Sequence, residues 1–271
     1  MSRLSLNRWA RTGRFALNLH GVSSHRRPEI PKHHQPHHAV AEFRRVLHWL
    51  GERFAFLGAE EFLGSDRPGV LLTFDDGHAN NLVNILPILE EFRAPGVFFV
   101  ASQHVLNPRD WLSFTCEKVR RGWGSAEAVP GEVAADCFDG LSPEQLATLA
   151  RSPWAVIGAH TVTHPSLPTC NEVELARELA ESRRALQQIT GQPVDLFAYP
   201  YGDYDRRVAQ AVRAAGYRAA FAVDPLPVGM PGYEIPRIGI YASRPIYLTL
   251  KMSGLHRRPV RGPALRGAVP Q

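Results

Sequence analysis

Cysteine is scarce in this sequence, and the few present have no pairing pattern. Cys116, Cys137 and Cys170 stand alone among 271 residues. The count is odd and no pair has CxxC spacing, which argues against a disulfide framework and a thiolate zinc site and fits a reducing compartment. Long apolar runs are missing too, so no membrane span is expected. Arg3, Arg8, Arg11 and Arg14 interrupt the first 20 residues, so no apolar signal-peptide core forms there. No glycine-rich loop with a matching lysine follows any strand, which weakens a phosphoryl-transfer reading. There is also no internal repeat and no linker between two cores. These absences point to a single domain over residues 1–271 in the cytoplasm.

Acidic residues are absent from both ends. Residues 1–27 and 244–271 each carry six Lys or Arg and no Asp or Glu. The middle holds the remaining 19 basic residues against all 26 acids, a net of −7. The overall charge of +5 therefore hides an acidic body with basic ends, and no nucleic-acid partner is expected. The ends suit peripheral contact with an anionic membrane face or a charged glycan, or are solvated tails.

What is present is a 44% hydrophobic chain in which short apolar runs alternate with helical periodicity. Strands are expected at 15–20, 70–75, 97–100, 154–159, 196–199, 217–223 and 236–240. Helices are expected at 40–53, 82–92, from Ser142-Pro143 onward, 171–189 and 206–215, with another near 112–121 inside an irregular insertion at 103–140. Ser142 and Asn171 read as helix caps, Asn80 and Asn81 as caps of the 82–92 helix, and Gly191 as a helix stop. The His- and Pro-rich run 25–38 reads as an exposed loop. Strand–helix alternation over about seven units favours a parallel α/β barrel with a core of about 15–250 and a loose tail from about 256.

Working residues of such a barrel sit at the carboxyl ends of strands. Val70-Leu-Leu-Thr-Phe-Asp75-Asp76-Gly77 ends an apolar strand in two adjacent carboxylates. Their mutual repulsion is relieved by a cation or a shared proton; the alternative is a solvated Asp-Gly turn. His20 ends another strand. His160 ends a third, and His164 follows it in His-Thr-Val-Thr-His-Pro. No glutamate lies between these histidines and Pro165 disfavours a helix at His164, so a loop folding both imidazoles over the strand mouth is expected. Two histidines beside a carboxylate make a mononuclear metal site with open positions. In this arrangement the second aspartate binds metal and the first stays free as a base.

Thr73-Phe-Asp-Asp-Gly77, His160-Thr-Val-Thr-His164-Pro and Phe197-Ala-Tyr-Pro-Tyr-Gly202 together resemble the polysaccharide deacetylases of the NodB-homology type (carbohydrate esterase family 4). The resemblance covers roughly residues 15–250. It implies a distorted, incomplete (β/α) barrel and one divalent ion, zinc first and cobalt or nickel as alternatives. It implies Asp76, His160 and His164 as metal ligands, Asp75 as general base and the Tyr201 backbone N–H as oxyanion donor. Two features depart from the common pattern. Ala198 stands where many members carry an arginine, and no Leu-x-His motif supplies a general acid; Leu255-His256 has the wrong spacing. Leu19-His20 and Pro236-Arg237-Ile238 resemble the branch that deacetylates cell-surface polysaccharides. Arg237 is therefore expected to replace the missing arginine beside Asp75. His20 is expected either to donate a proton to the leaving amine or to be a hydrogen-bonded strand-end histidine; His78 is a weaker candidate.

The activity this implies is N-deacetylation of an acetamido sugar in a cell-surface glycan or its precursor. Trp111, Trp123, Tyr199 and Tyr201 offer stacking faces for sugar rings, with core packing the better reading for Tyr199. The alternatives are an O-acetyl esterase or other amide hydrolase on the same site, and a silent glycan-binding protein.

Overall fold

The computed structural model describes residues 13–28, 30, 36–107, 128–223 and 227–253. Trp111, Cys116, Trp123, Leu255, His256, the helix expected near 112–121 and the expected loose tail lie outside the described residues. Seven strands are long enough to carry the sheet: β1 (Arg14–Leu19), β4 (Gly69–Asp76), β5 (Gly96–Val100), β6 (Ala155–Ala159), β7 (Leu196–Ala198), β8 (Ala219–Val223) and β9 (Ile235–Gly239). All pair in parallel in that order, and β9 returns to β1 through Ala16–Arg237, Leu17–Ile238 and Asn18–Gly239. The barrel is closed by hydrogen bonds, with one strand fewer than the eight of a standard (β/α) barrel. Two short strands, β2 (Val22–Ser23) and β3 (His38–Ala39), pair beside it.

Strand parity sorts the core. Leu17, Leu72, Phe74, Phe98, Val100, Ile157 and Phe197 point outward and pack with the helices. Ala16, Leu71, Val97, Phe99, Leu196, Ala198 and Phe221 form a second cluster, the opposite face of the same strands, which lies inside the barrel. Phe74 stacks on Phe98 at 4.9 Å and meets Phe43 edge-on at 5.9 Å. Phe43 belongs to α1 (Val40–Gly51), whose buried Phe43, Val46, Leu47 and Leu50 follow the helical period.

The helices begin and end where local chemistry directs. Ser142 caps α6 (Pro143–Ala150) through a reciprocal box with Gln145. Asn171 does the same for α7 (Glu172–Thr190) with Glu174, and Gly191 stops that helix at φ 67°. The other helices, α2 (Ala59–Gly64), α3 (Leu86–Phe92), α4 (Ser102–Leu106), α5 (Gly131–Cys137), α8 (Arg206–Ala214) and α9 (Pro245–Met252), complete the outer layer.

Three expectations are corrected. The helix expected at 82–92 is split: a wide turn over Asn81–Ile85 precedes α3, because Pro87 has no N–H to offer, and the Leu86 N–H reaches back to Asn81. Asn80 and Asn81 do not cap that helix with their side chains. Asn80 instead accepts the Val22 N–H at 3.0 Å and donates to the Asp136 carbonyl at 2.9 Å, tying β2 and α5 to the end of β4. The loop 25–38 is not uniformly exposed. His38 is buried in β3 with Nε2 3.0 Å from the Ile240 carbonyl oxygen, and burial lowers its pKa despite that bond.

Asn80→Ala removes two hydrogen bonds at a 1% exposed site. The expected loss is about 1–3 kcal/mol, the usual cost of stranding a buried polar partner. Urea unfolding measures it; an unchanged midpoint would show that the Asn80 clamp adds nothing.

Candidate active site

The mouth of the barrel is built from strand parity and one break in it. Asn18, Thr73, Asp75, Ala198 and Arg237 are on the inward register, so Asp75 faces the barrel axis. Asp76 should then face outward. Its φ of 83° turns the backbone left-handed at the last residue of β4 and brings the carboxylate back over the mouth. Gly77 continues the turn at φ 83°, and a Cβ there would stand 2.7 Å from Val100 Cγ1, so only glycine fits.

Inside, Arg237 grips Asp75 with both nitrogens: Nη1 to Oδ1 at 2.6 Å and Nη2 to Oδ2 at 2.8 Å. Asn18 Nδ2 donates to Oδ2 at 2.6 Å. Arg237 is fully buried, and Nη1 also donates to Thr73 Oγ1 at 3.0 Å while the guanidinium lies 5.4 Å from the Phe99 ring centroid. The cation beside Asp75 thus comes from β9, while Ala198 on β7 uses its carbonyl to accept from His160 Nδ1 at 2.7 Å. That bond puts the proton on Nδ1 and aims the lone pair of Nε2 at the mouth.

Above this pair, Asp76 Oδ1 lies 3.6 Å from His160 Nε2 and 3.6 Å from His164 Nε2. One ligand atom from each of the three residues lies within 4.8 Å of the other two. Tetrahedral coordination at zinc–nitrogen and zinc–oxygen distances needs ligand spacings of about 3.3 Å, so this donor set fits a first-row divalent ion. The other carboxylate oxygen, Oδ2, faces His78 Nε2 at 3.6 Å and His20 Nε2 at 3.9 Å. The His20 ring is partly exposed, and its Nδ1 is buried without a hydrogen-bond partner among the described residues.

Four of the five non-glycine residues with left-handed φ among the described residues surround this mouth: Asp76, Thr161, His164 and Tyr201. Each such conformation costs about 1–3 kcal/mol and persists only where surrounding contacts impose it. Tyr201 lies in the turn Pro200–Gly202 at φ 60°, and its ring, 59% exposed, meets His164 edge-on at 4.7 Å. Gly202 follows at φ 76°, where a Cβ would press on the Val223 backbone at 2.8 Å.

Residues 64–220 match the model of the family described as polysaccharide deacetylase. The chain belongs to the polysaccharide deacetylase family. A chitooligosaccharide deacetylase from Rhizobium leguminosarum bv. trifolii is 28% identical over 194 residues, covering 70% of this chain and 74% of its own. A poly-β-1,6-N-acetyl-D-glucosamine N-deacetylase from Staphylococcus aureus is 23% identical over 235 residues, covering 80% and 72%. Two solved structures share the fold: IcaB from Ammonifex degensii (TM-score 0.64, 22% identity, 89% of this chain and 96% of that one) and the Streptococcus pyogenes deacetylase PplD in complex with acetate (TM-score 0.65, 19% identity, 88% and 97%).

The electrostatics of this deacetylase keep both aspartates ionised. Burial pushes the Asp75 carboxyl up, but Arg237 and His160 outweigh it and hold Asp75 below the ordinary carboxylate range. Asp76 lies well below that range for the same balance of opposing causes, burial against His20, His78 and His164. Burial dominates at His164 and lowers it to about 4, and it lowers His160 as well. Both imidazoles are therefore neutral at pH 7 and present lone pairs, as metal ligation requires.

His20, Asp76, His160, His164 and Tyr201 line the mouth itself, and Arg237 and Asp75 form the floor beneath it; Trp111 and Trp123 lie outside the described residues. Asn18 went unnoticed, although a lone polar residue on the inward register of Phe15-Ala-Leu-Asn-Leu19 was a readable signal. Tyr199 is fully buried and its hydroxyl donates to the Tyr233 carbonyl at 2.9 Å, which is core packing. Among the described residues, no helix is long and apolar enough to cross a membrane.

Arg237→Ala would leave Asp75 buried without its cation, at an expected cost of about 3–5 kcal/mol. Because the folded-state pKa of Asp75 lies below its unfolded value, the stabilising effect of the pair is complete above the ordinary carboxylate pKa. It is lost as pH falls through the folded value. Urea unfolding of both proteins at neutral and acid pH should show the gap narrowing with acidification; a constant gap would rule out the pair as its source.

Proposed function

We propose that this chain is a divalent-metal-dependent N-deacetylase of acetamido sugars in a cell-surface polysaccharide or its precursor. The observation that carries the reading is the separation of two adjacent carboxylates into different tasks. Asp76 shares its Oδ1 with the two histidine Nε2 atoms at 3.6 Å, while Asp75 is clamped by Arg237 and Asn18. Asp76, His160 and His164 would hold the ion, zinc first and cobalt or nickel next. When bound there, it supplies Lewis acidity toward a carbonyl oxygen and acidifies water.

The remaining chemistry falls to side chains and backbone. Asp75, ionised at neutral pH, takes a proton from the attacking water. Oδ1 accepts a single hydrogen bond among the described residues and keeps a lone pair for that proton. The Tyr201 N–H, set by its left-handed turn, stabilises charge on the acetyl oxygen. His20, 3.9 Å from Asp76 Oδ2 and partly exposed, protonates the departing amine. Arg237 keeps Asp75 ionised and fixed in direction. The exposed Tyr201 ring offers a face to the sugar. The glycans named in two relatives, chitooligosaccharide and poly-β-1,6-N-acetyl-D-glucosamine, both carry the acetamido group on which this arrangement would act.

Acetate release from N-acetylated oligosaccharides tests the proposal. A chelator should abolish it, and zinc, cobalt or nickel should restore it. Asp75→Asn should lower turnover by about 10²–10⁴-fold while metal content stays at one per chain. Turnover that survives exhaustive metal removal would overturn the metal-dependent reading. Faster acetate release from O-acetyl sugars than from N-acetyl sugars would favour the esterase alternative.

His20→Ala should lower N-acetyl hydrolysis by about 10²–10⁴-fold. It should leave hydrolysis of p-nitrophenyl acetate largely intact, since that leaving group departs without a proton. Equal losses on both substrates would remove His20 from the proton-donor role.

A further inference from the structure

The loop that delivers His164 is held by a buried carboxylate from a helix outside the site. Glu178 of α7 is 1% exposed. Its Oε2 accepts the backbone N–H of Val162 at 2.8 Å and of Thr163 at 2.9 Å. Its Oε1 accepts the Thr163 hydroxyl at 2.9 Å and Arg177 Nη2 at 3.1 Å. One turn further along α7, Ser182 Oγ donates to the Thr161 carbonyl at 2.8 Å. The first turn of α4 adds the Ser102 N–H to Thr161 and the Gln103 N–H to Val162, both at 3.1 Å. Inside the loop, Thr161 Oγ1 accepts the His164 N–H at 2.9 Å.

Apart from the Arg177 bond, these contacts converge on residues 161–164, and that segment is strained. Thr161 and His164 sit at φ 69° and 60°, conformations that side chains with a Cβ rarely adopt. A free segment of this composition would relax toward extended backbone and carry the His164 imidazole away from Asp76. Two backbone N–H groups turned toward one carboxylate oxygen cannot be satisfied by such a relaxed loop. The charge of Glu178 strengthens each of these bonds relative to a neutral acceptor.

We propose that Glu178 is a positioning residue for the metal centre: it holds the 161–164 loop in its strained form so that His164 Nε2 faces Asp76. This rests on the metal-site reading of Asp76, His160 and His164. A merely structural carboxylate would lower thermal stability and leave metal affinity of the folded protein alone. A positioning carboxylate changes the affinity itself, because part of the binding free energy goes into ordering the loop.

The test is titration of the metal-stripped full chain with zinc in a competing chelator, and with cobalt followed by its visible absorption. Both are run well below the unfolding temperature of each variant. Glu178→Ala is expected to raise the zinc Kd about 10–100-fold and to alter the cobalt band, with the far-ultraviolet circular dichroism unchanged. Glu178→Gln, which keeps an acceptor for the two N–H groups, should recover most of the affinity. An alanine variant that is folded and binds zinc as tightly as the unaltered protein would overturn the proposal. If Glu178→Ala does not fold, Ser182→Ala decides: a Kd raised about 2–10-fold supports the loop-holding role of α7, and an unchanged Kd overturns it. An unaltered protein that binds no metal, or an Asp76→Ala variant that still binds it, would fail the metal-site reading instead.

Discussion

The ion pair between Asp75 and Arg237 is the constraint around which the mouth of this barrel is arranged. A carboxylate on the inward face of a closed sheet is out of reach of bulk water, and an isolated charge there would be neutralised by protonation. The bidentate guanidinium and Asn18 keep it ionised and fix its direction. Arg237 can reach it because β9 closes the barrel against β1, in register with Ala16, on the far side of β1 from β4. Closure of the sheet and ionisation of Asp75 are thus one structural fact. A barrel that opened between β9 and β1 would lose both.

The second carboxylate is handled by the opposite device. Two neighbouring residues of a regular strand cannot face the same side, so Asp76 reaches the mouth only through a left-handed break. The strain is local, and so is its return, because the break gives Asp76 two separate faces. One oxygen meets the neutral pair His160 and His164; the other meets His20 and His78. The same trade recurs at Thr161, His164 and Tyr201, where left-handed backbone brings the His164 imidazole and the Tyr201 ring together at the mouth. Packed helices and the closed sheet supply the rigidity that makes such strain tolerable.

Much of the frame was legible residue by residue. The seven strands were visible as short apolar runs, because burial on both faces removes polar alternation. Ser142, Asn171 and Gly191 were legible because capping is a matter of four or five consecutive residues. Two of the misreadings share one cause, a partner distant in sequence. Asn80 looked like a cap, yet its amide serves Val22 and Asp136, which are distant in sequence. His38 looked like part of a polar loop, yet it is buried against Ile240. The turn at Asn81–Ile85 widened because of Pro87, a local signal that the helical period of the surrounding leucines and isoleucines obscured. Glu178 carried no signal at all, since a glutamate on a mostly polar helix reads as a solvated charge.

The motifs by themselves determined which chemistry was available: two adjacent carboxylates after a buried strand, and two histidines in a loop that proline keeps from being helical. These are properties of neighbours in the chain, and short-range sterics and burial are enough to impose them. The tertiary structure decided the geometry, which the motifs and their resemblance could only suggest. The bidentate grip on Asp75 by an arginine 162 residues away, the approach of Asp76 to His160 and His164 and the hold of Glu178 on the 161–164 loop all depend on strand register and barrel closure. Those are set by the whole core at once, and no window of the sequence contains them.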